Sequence, residues 1–169
     1  MSEQAMAKVD DDKPEHIKVL TFNIALDGTV GGLPGIIDLI RKSDADVVGL
    51  QESEANTQKI ADALGYNVVH HGDTAIMTRF PIDDVTPEKG GIVTHTPGGK
   101  QFAFFDEHLY FAPYQPYQLI GIPYQNGKFI KTEAEAVDEA KKARWTDVES
   151  AMKEVKALKD QNLPTVVVG

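Results

Sequence analysis

Asn23, Glu52, Asp106, His108 and a run of aromatic rings beyond residue 102 are the side chains of this 169-residue sequence best suited to chemistry. Glu52 ends the stretch Val47-Val48-Gly49-Leu50-Gln51-Glu52. Such an uninterrupted run reads as a strand buried on both faces, with its polar pair at the C-terminal edge. Layered α/β folds build sites at that edge, because strand ends hold side chains rigidly over a crevice. A carboxylate there can bind a metal, act as an acid or base, or sit solvated in a loop.

Asn23 closes Ile17-Lys18-Val19-Leu20-Thr21-Phe22-Asn23 in the same manner. If the two strands are parallel neighbours, amide and carboxylate meet at one edge, where they can coordinate a hard cation and orient a phosphate oxygen. The alternative is a turn residue bonding its own backbone. Asp106 and His108 are two apart and share a face in extended chain. The carboxylate can orient the imidazole for donation to a phosphate or leaving group; otherwise His108 simply ends a strand. Most of the aromatic residues lie between Phe102 and Phe129, in a segment stiffened by Pro113, Pro116 and Pro123. Tyr110, Tyr114, Tyr117 and Tyr124 can stack on a base or sugar, or pack as an ordinary loop.

The remaining histidines, His16, His70, His71 and His95, show no His-x-x-x-His or His-Glu-x-x-His spacing. That counts against a zinc protease, and no P-loop, Gly-x-Ser-x-Gly or dinucleotide fingerprint is present.

The elements that must position these groups follow from periodicity and turn chemistry. Residues 1–16 read as a flexible polar lead-in. Pro34 opens a helix carrying Ile36, Ile37, Leu39 and Ile40 to about Lys42, and a second helix runs from Asn56 to Leu64, with Gly65 as its stop. Strands at 66–70 and 74–78 are joined by a Gly72-Asp73 turn. Pro81-Ile82 leads into another strand, and strands at 91–95 and 100–105 flank Thr96-Pro97-Gly98-Gly99. Residues 106–130 read as an ordered loop presenting rings. From Glu133 to about Lys159 the pattern gives one long helix or two abutting ones. Short strands at this density indicate a mixed or antiparallel sheet within an α/β (α+β) fold. The last segment, Thr165-Val166-Val167-Val168-Gly169, begins a buried strand and leaves its edge without a partner, so the expectation is a chain cut inside its own fold.

Composition narrows the function. The chain has 41% hydrophobic residues, ordinary for a globular domain, and no apolar run of membrane-spanning length. The first residues lack the basic start and apolar core of a secretory leader, which makes the cytoplasm the default expectation, with export open if a leader has been removed. The absence of cysteine rules out disulfides and thiolate chemistry. A net charge of −9 opposes a broad nucleic-acid-binding face. Phosphate chemistry on such a chain implies a bound divalent cation that reverses the local sign.

Four segments resemble the endonuclease/exonuclease/phosphatase superfamily. Val19-Leu20-Thr21-Phe22-Asn23-Ile24 is similar to its opening strand, and Asp44-Ala45-Asp46-Val47-Val48-Gly49-Leu50-Gln51-Glu52 to its second, which ends in a metal-ligand Glu. Thr74-Ala75-Ile76-Met77-Thr78-Arg79-Phe80-Pro81-Ile82 resembles the family's ILSR-x-PI hairpin. Phe104-Phe105-Asp106-Glu107-His108-Leu109 resembles its N-T-H-L strand, with Asp106 and Glu107 standing where the family has Asn and Thr.

The resemblance covers about residues 17–169 and implies the N-terminal half of a four-layer α/β/β/α sandwich of the DNase-like type. It further implies hydrolysis of a phosphoester by in-line attack of water in the intact parent. Glu52 would hold Mg²⁺ or Mn²⁺, Asn23 would help at the metal or orient phosphate or water, and His108 would donate to a non-bridging oxygen. Asp27 is a further acidic candidate, Asp106 a supporting one, and Arg144 reads as structural. Gly169 stands where the family's Gly-Asp-x-Asn begins, so the 169 residues alone are expected to be inactive or to need a complementing chain. The acidic balance favours a small or lipid phosphoester over duplex DNA, with a nuclease as the alternative.

Overall fold

The computed structural model describes residues 16–125 and 127–169, so the expected lead-in lies outside the described residues except for His16. The chain folds as two four-stranded sheets packed face to face, with helices on both outer surfaces. The first sheet has the order β1-β2-β4-β3, built from β1 (Val19–Asn23), β2 (Val47–Gln51), β4 (Thr74–Thr78) and β3 (Asn67–His71). The second has the order β5-β6-β7-β8, from β5 (Ile82–Val85), β6 (Ile92–His95), β7 (Gln101–Asp106) and β8 (Thr165–Val168). The pairs β1–β2 and β7–β8 are parallel and the rest antiparallel. This is the mixed α/β sandwich the strand density indicates.

Every residue of β2 is buried, because its alternating side chains enter two different cores. Val48 and Leu50 point to the outer layer, where they meet Ile36 and Ile40 of α1 (Leu33–Ser43) and Ile60 and Ala61 of α2 (Thr57–Leu64). Val47 points the other way, into a core shared with Ile76, Ile92, Phe102 and Phe104. Each such fully buried aliphatic or aromatic side chain contributes roughly 1.5–3 kcal/mol. The helices begin and end where the sequence indicates: Pro34 in the first turn of α1, and Gly65 as the left-handed cap of α2.

Two segments differ from expectation. Within 106–130 the chain forms a short helix, α3 (Gln115–Ile120), because Pro116 suits a first helical turn and Gly121 adopts the left-handed cap. The alanine-rich segment is one continuous helix, α4 (Glu133–Lys159), opened by a capping box between Thr132 and Glu135. Its C-terminal turns cover the second sheet, with Val155, Leu158 and Leu163 packed on Ala103 and Phe105, completing four layers. Val137 and Met152 stay exposed, since only one side of that half meets the sheet. The strand β8 is less buried than its sequence suggests: Val166 and Val167 are 38% and 48% exposed. Among the described residues no helix is long and apolar enough to cross a membrane.

The sheets come closest at Gly49. A Cβ there would lie 2.7 Å from Asp106 Cγ and 2.8 Å from Val168 Cγ2. Gly49→Ala is therefore expected to force the sheets apart and lower stability by about 1–3 kcal/mol in urea denaturation. An unchanged midpoint would refute the close approach.

Candidate active site

Parallel pairing sets Asn23 opposite Gln51, so both strands deliver polar groups to one edge, as the sequence anticipates for parallel neighbours. The Asn23 amide donates to Glu52 Oε1 at 3.0 Å, and its oxygen accepts from the Ala25 N–H at 2.9 Å. A carboxylate only accepts and an N–H only donates, so this amide orientation satisfies both neighbours. Glu52 Oε2 accepts from the Leu26 N–H at 2.8 Å. These bonds, the backbone one first, hold the Glu52 carboxyl below the usual carboxylate range and keep it ionised.

The turn that supplies them is strained. Ala25, Leu26, Asp27 and Glu52 all have positive φ, between 49° and 59°. Each costs on the order of 1–2 kcal/mol for a residue bearing a Cβ, and such strain gathers at functional sites. Asp27 is committed locally: its carboxylate accepts from the N–H groups of Glu54 and Asn56. It still lines a shallow cavity of about 340 Å³ beside Glu52.

His108 meets a carboxylate, but not that of Asp106. Its Nδ1 lies 2.7 Å from Asp73 Oδ2. Strand β4 runs antiparallel to β2 with Thr74 opposite Gln51, which places the Gly72-Asp73 turn at the Glu52 edge. Asp73 is the residue that sequence reading overlooked. The signal was present in the hairpin, since any strand antiparallel to β2 begins where β2 ends.

Asp106 faces inward, between the sheets. Gln51 Nε2 donates to its Oδ1 and to Thr21 Oγ1, while Asp106 Oδ2 is buried without a hydrogen-bond partner. Asp106 is 3% exposed, and loss of hydration raises its pKa to about 7. Burial also raises Glu107, whose Oε1 is likewise unpartnered.

A cavity of about 700 Å³ joins the pieces. Glu52, Asp73 and His108 line it on one side, and Tyr110, Phe111 and Tyr124 on the other. Tyr110 therefore faces the cavity, whereas Tyr114 and Tyr117 do not line it. They pack edge-to-face at 4.9 Å, and Tyr117 in turn backs Tyr124 at 5.5 Å. Arg144 of α4 pins this loop by donating to the carbonyls of Phe111 and Pro113 at 2.7 and 3.0 Å, the structural part its position suggested. Asp147, one turn further along α4, completes the wall; nothing local in the sequence marks it.

Glu52 suits a hard divalent cation. Mg²⁺ is commonly held by one or two carboxylates, with water and phosphate oxygens filling the remaining positions. An ionised carboxylate whose oxygens each take one N–H bond keeps lone pairs for such an ion. Asn23 instead turns its NH₂ to Glu52 and its oxygen to the backbone. Among the described residues no group of three or more His, Asp or Glu side chains forms a cage for a metal.

The four layers and a carboxylate–imidazole edge between the two sheets place the molecule among sandwich-fold phosphoesterases. The chain belongs to the endonuclease/exonuclease/phosphatase family, whose sequence model matches residues 20–169. Family members are hydrolases of phosphoesters and generally use divalent metals. Of solved structures, TDP2 from Caenorhabditis elegans in selenomethionine form aligns at 15% identity and TM-score 0.58, over 95% of this chain and 48% of that one. A second structure of the same protein aligns at 14% identity and TM-score 0.55, over 89% and 45%. A D. rerio TDP2, complexed with a single-strand DNA product, aligns at 17% identity and TM-score 0.45, over 62% and 51%. These likenesses show the fold. The chain spans about half the length of the structures it matches. No curated protein matches it.

Asp106 makes stability depend on pH. Its folded pKa of about 7 lies above the model-compound value of 3.8, so the native state holds the proton between them. Stability is then greatest below pH 4 in this respect and falls as pH rises through 7, by a few kcal/mol at most. Asp106→Asn is expected to flatten the fall in urea midpoint between pH 5 and pH 8. Parallel curves for the two proteins would exclude Asp106 as the source.

Proposed function

We propose that this site hydrolyses a phosphoester by in-line attack of water, with Glu52 holding a Mg²⁺ or Mn²⁺ ion. The observation that carries the reading is the convergence of an ionised Glu52 and the His108–Asp73 pair on one cavity, from two different sheets. Such a cation, when bound, neutralises phosphate charge and polarises the phosphoryl group.

The chain's own residues then have distinct parts. Asn23 and the Leu26 N–H fix the rotamer and charge of Glu52. Asp73 accepts from His108 Nδ1, which leaves Nε2 as the face turned to substrate. As an imidazolium, that nitrogen donates to a non-bridging oxygen; a preorganised bond of this kind is worth about 3–4 kcal/mol in a dry site. The inward-turned Asp106, joined to Gln51, holds β7 against β2 and so sets where His108 emerges. Tyr110 contacts the ester's organic group, with Tyr114 and Tyr117 supporting the loop from behind. The chain's charge of −9 supports a small or headgroup-sized ester over a duplex. Single-stranded DNA is the competing substrate to include in assays.

A second reading concerns the 169 residues by themselves: they bind the cation but do not turn over, either as a domain portion or as one half of a complemented pair. Their match to about half the length of the solved structures favours it.

Mn²⁺ titrated into the chain, followed by the ion's electron paramagnetic resonance signal, is expected to show one site that Glu52→Gln weakens at least tenfold. Bis-p-nitrophenyl phosphate is expected to remain intact with Mg²⁺ or Mn²⁺. Unaltered Mn²⁺ affinity in Glu52→Gln would overturn the ligand assignment, and turnover abolished by Glu52→Ala would overturn the inactive reading.

A further inference from the structure

The 700 Å³ cavity has an uneven chemistry that bears on what the phosphate is attached to. Of the described residues that line it, none is lysine or arginine, although phosphate-binding sites commonly recruit both. Its wall away from Glu52 is made of three rings and a carboxylate. Tyr110 and Phe111 lie 5.1 Å apart at 44°, and Phe111 and Tyr124 lie 6.1 Å apart at 53°. Rings inclined to one another at these spacings form a corner, and each presents the negative face of its quadrupole.

Asp147 stands at that corner. It lies three residues beyond Arg144, on the same face of α4, and Arg144 holds the Phe111 carbonyl. The Asp147 carboxylate lies 3.4 Å from Lys89 Nζ and is 53% exposed. Lys89 does not reach the cavity wall; it lines a smaller pocket of about 200 Å³ behind His108 and is shared with Glu107 at 3.7 Å. The rings, by contrast, are half-exposed, Tyr110 by 56%, Phe111 by 46% and Tyr124 by 41%, and open for contact.

A multiply phosphorylated ligand would find no fixed cation here beyond the ion at Glu52 and a protonated His108. A singly charged phosphoester carrying a positive group finds complementary surfaces at both ends. We propose that the cavity selects phosphoesters of quaternary-ammonium alcohols, with the phosphate at the Glu52–His108 side and the ammonium against Tyr110, Phe111, Tyr124 and Asp147. This selection rests on the phosphoesterase reading for the phosphate end only. Aromatic contacts with a desolvated cation suffice for a preference of tenfold or more over a neutral group of the same shape.

The test measures binding of two esters to the 169-residue chain with Mg²⁺ by calorimetry: phosphocholine and 3,3-dimethylbutyl phosphate, which replaces the nitrogen by carbon. Phosphocholine is expected to bind at least tenfold tighter. Phe111→Leu and Asp147→Asn, both at half-exposed positions, are each expected to narrow that ratio several-fold. Equal affinities, or a ratio unmoved in both variants, would overturn the ammonium subsite while leaving the phosphoesterase reading intact. Choline binding that persists when inorganic phosphate shows none would support the subsite and count against the phosphoesterase reading instead. Sedimentation with phosphatidylcholine vesicles separates the sources. Pelleting places the ester in a lipid headgroup; soluble binding without pelleting places it in free phosphocholine, and either supports the subsite.

Discussion

The close approach of the two sheets at Gly49 governs the rest of the molecule. Stacked sheets ordinarily stand about 10 Å apart, separated by interleaved side chains. Here one position on β2 has no side chain, and Asp106 and Val168 of the other sheet occupy the space. That contact lets Gln51 reach Asp106, and the bond between them ties the C-terminal ends of β2 and β7 together. Glu52 and His108 follow those residues directly on their strands. Their shared cavity is therefore a consequence of sheet spacing.

Around this junction, polar groups have been given unequal treatment. Glu52 is supplied with two donors and remains ionised at the cavity. Asp106 is stripped of water, given one donor, and carries a proton at mildly acidic pH. The difference comes from position along one edge: a strand end with a bonded turn beside it, against a strand end pressed between sheets. The positive-φ turn at 25–27 is the local cost of the first arrangement, and its backbone bonds to Glu52 are what hold it. The aromatic loop is kept in place differently, by the Arg144 fork on two carbonyls and by Gln118, whose amide donates to the Lys128 carbonyl. Rings and carboxylates thus stand on opposite walls, anchored to different layers.

Much of this architecture was legible in the chain. The run 47–52 announced a two-sided strand, because unbroken apolar residues ending in a polar pair have few other homes. Pro34, Gly65 and the Thr96-Pro97-Gly98-Gly99 turn set element ends, since their backbone preferences act locally. The edge pairing of Asn23 with Glu52 followed once β1 and β2 were taken as parallel neighbours. Spacing misled at Asp106 and His108. Two residues apart share a face only while the strand continues, and β7 ends at Asp106, so His108 turns toward Asp73 of the other sheet.

The sequence by itself thus determined the elements, the family and the strand-end identity of Asn23 and Glu52, because these depend on neighbours within a few residues or on one strand pair. Only the tertiary structure decided that Asp73 orients His108, that Asp106 is buried and proton-holding, and that Asp147 and three rings face Glu52 across a cavity. Those relations join residues 35 or more positions apart across separate layers, where no periodicity or turn signal reaches. They were settled by how closely two sheets can pack.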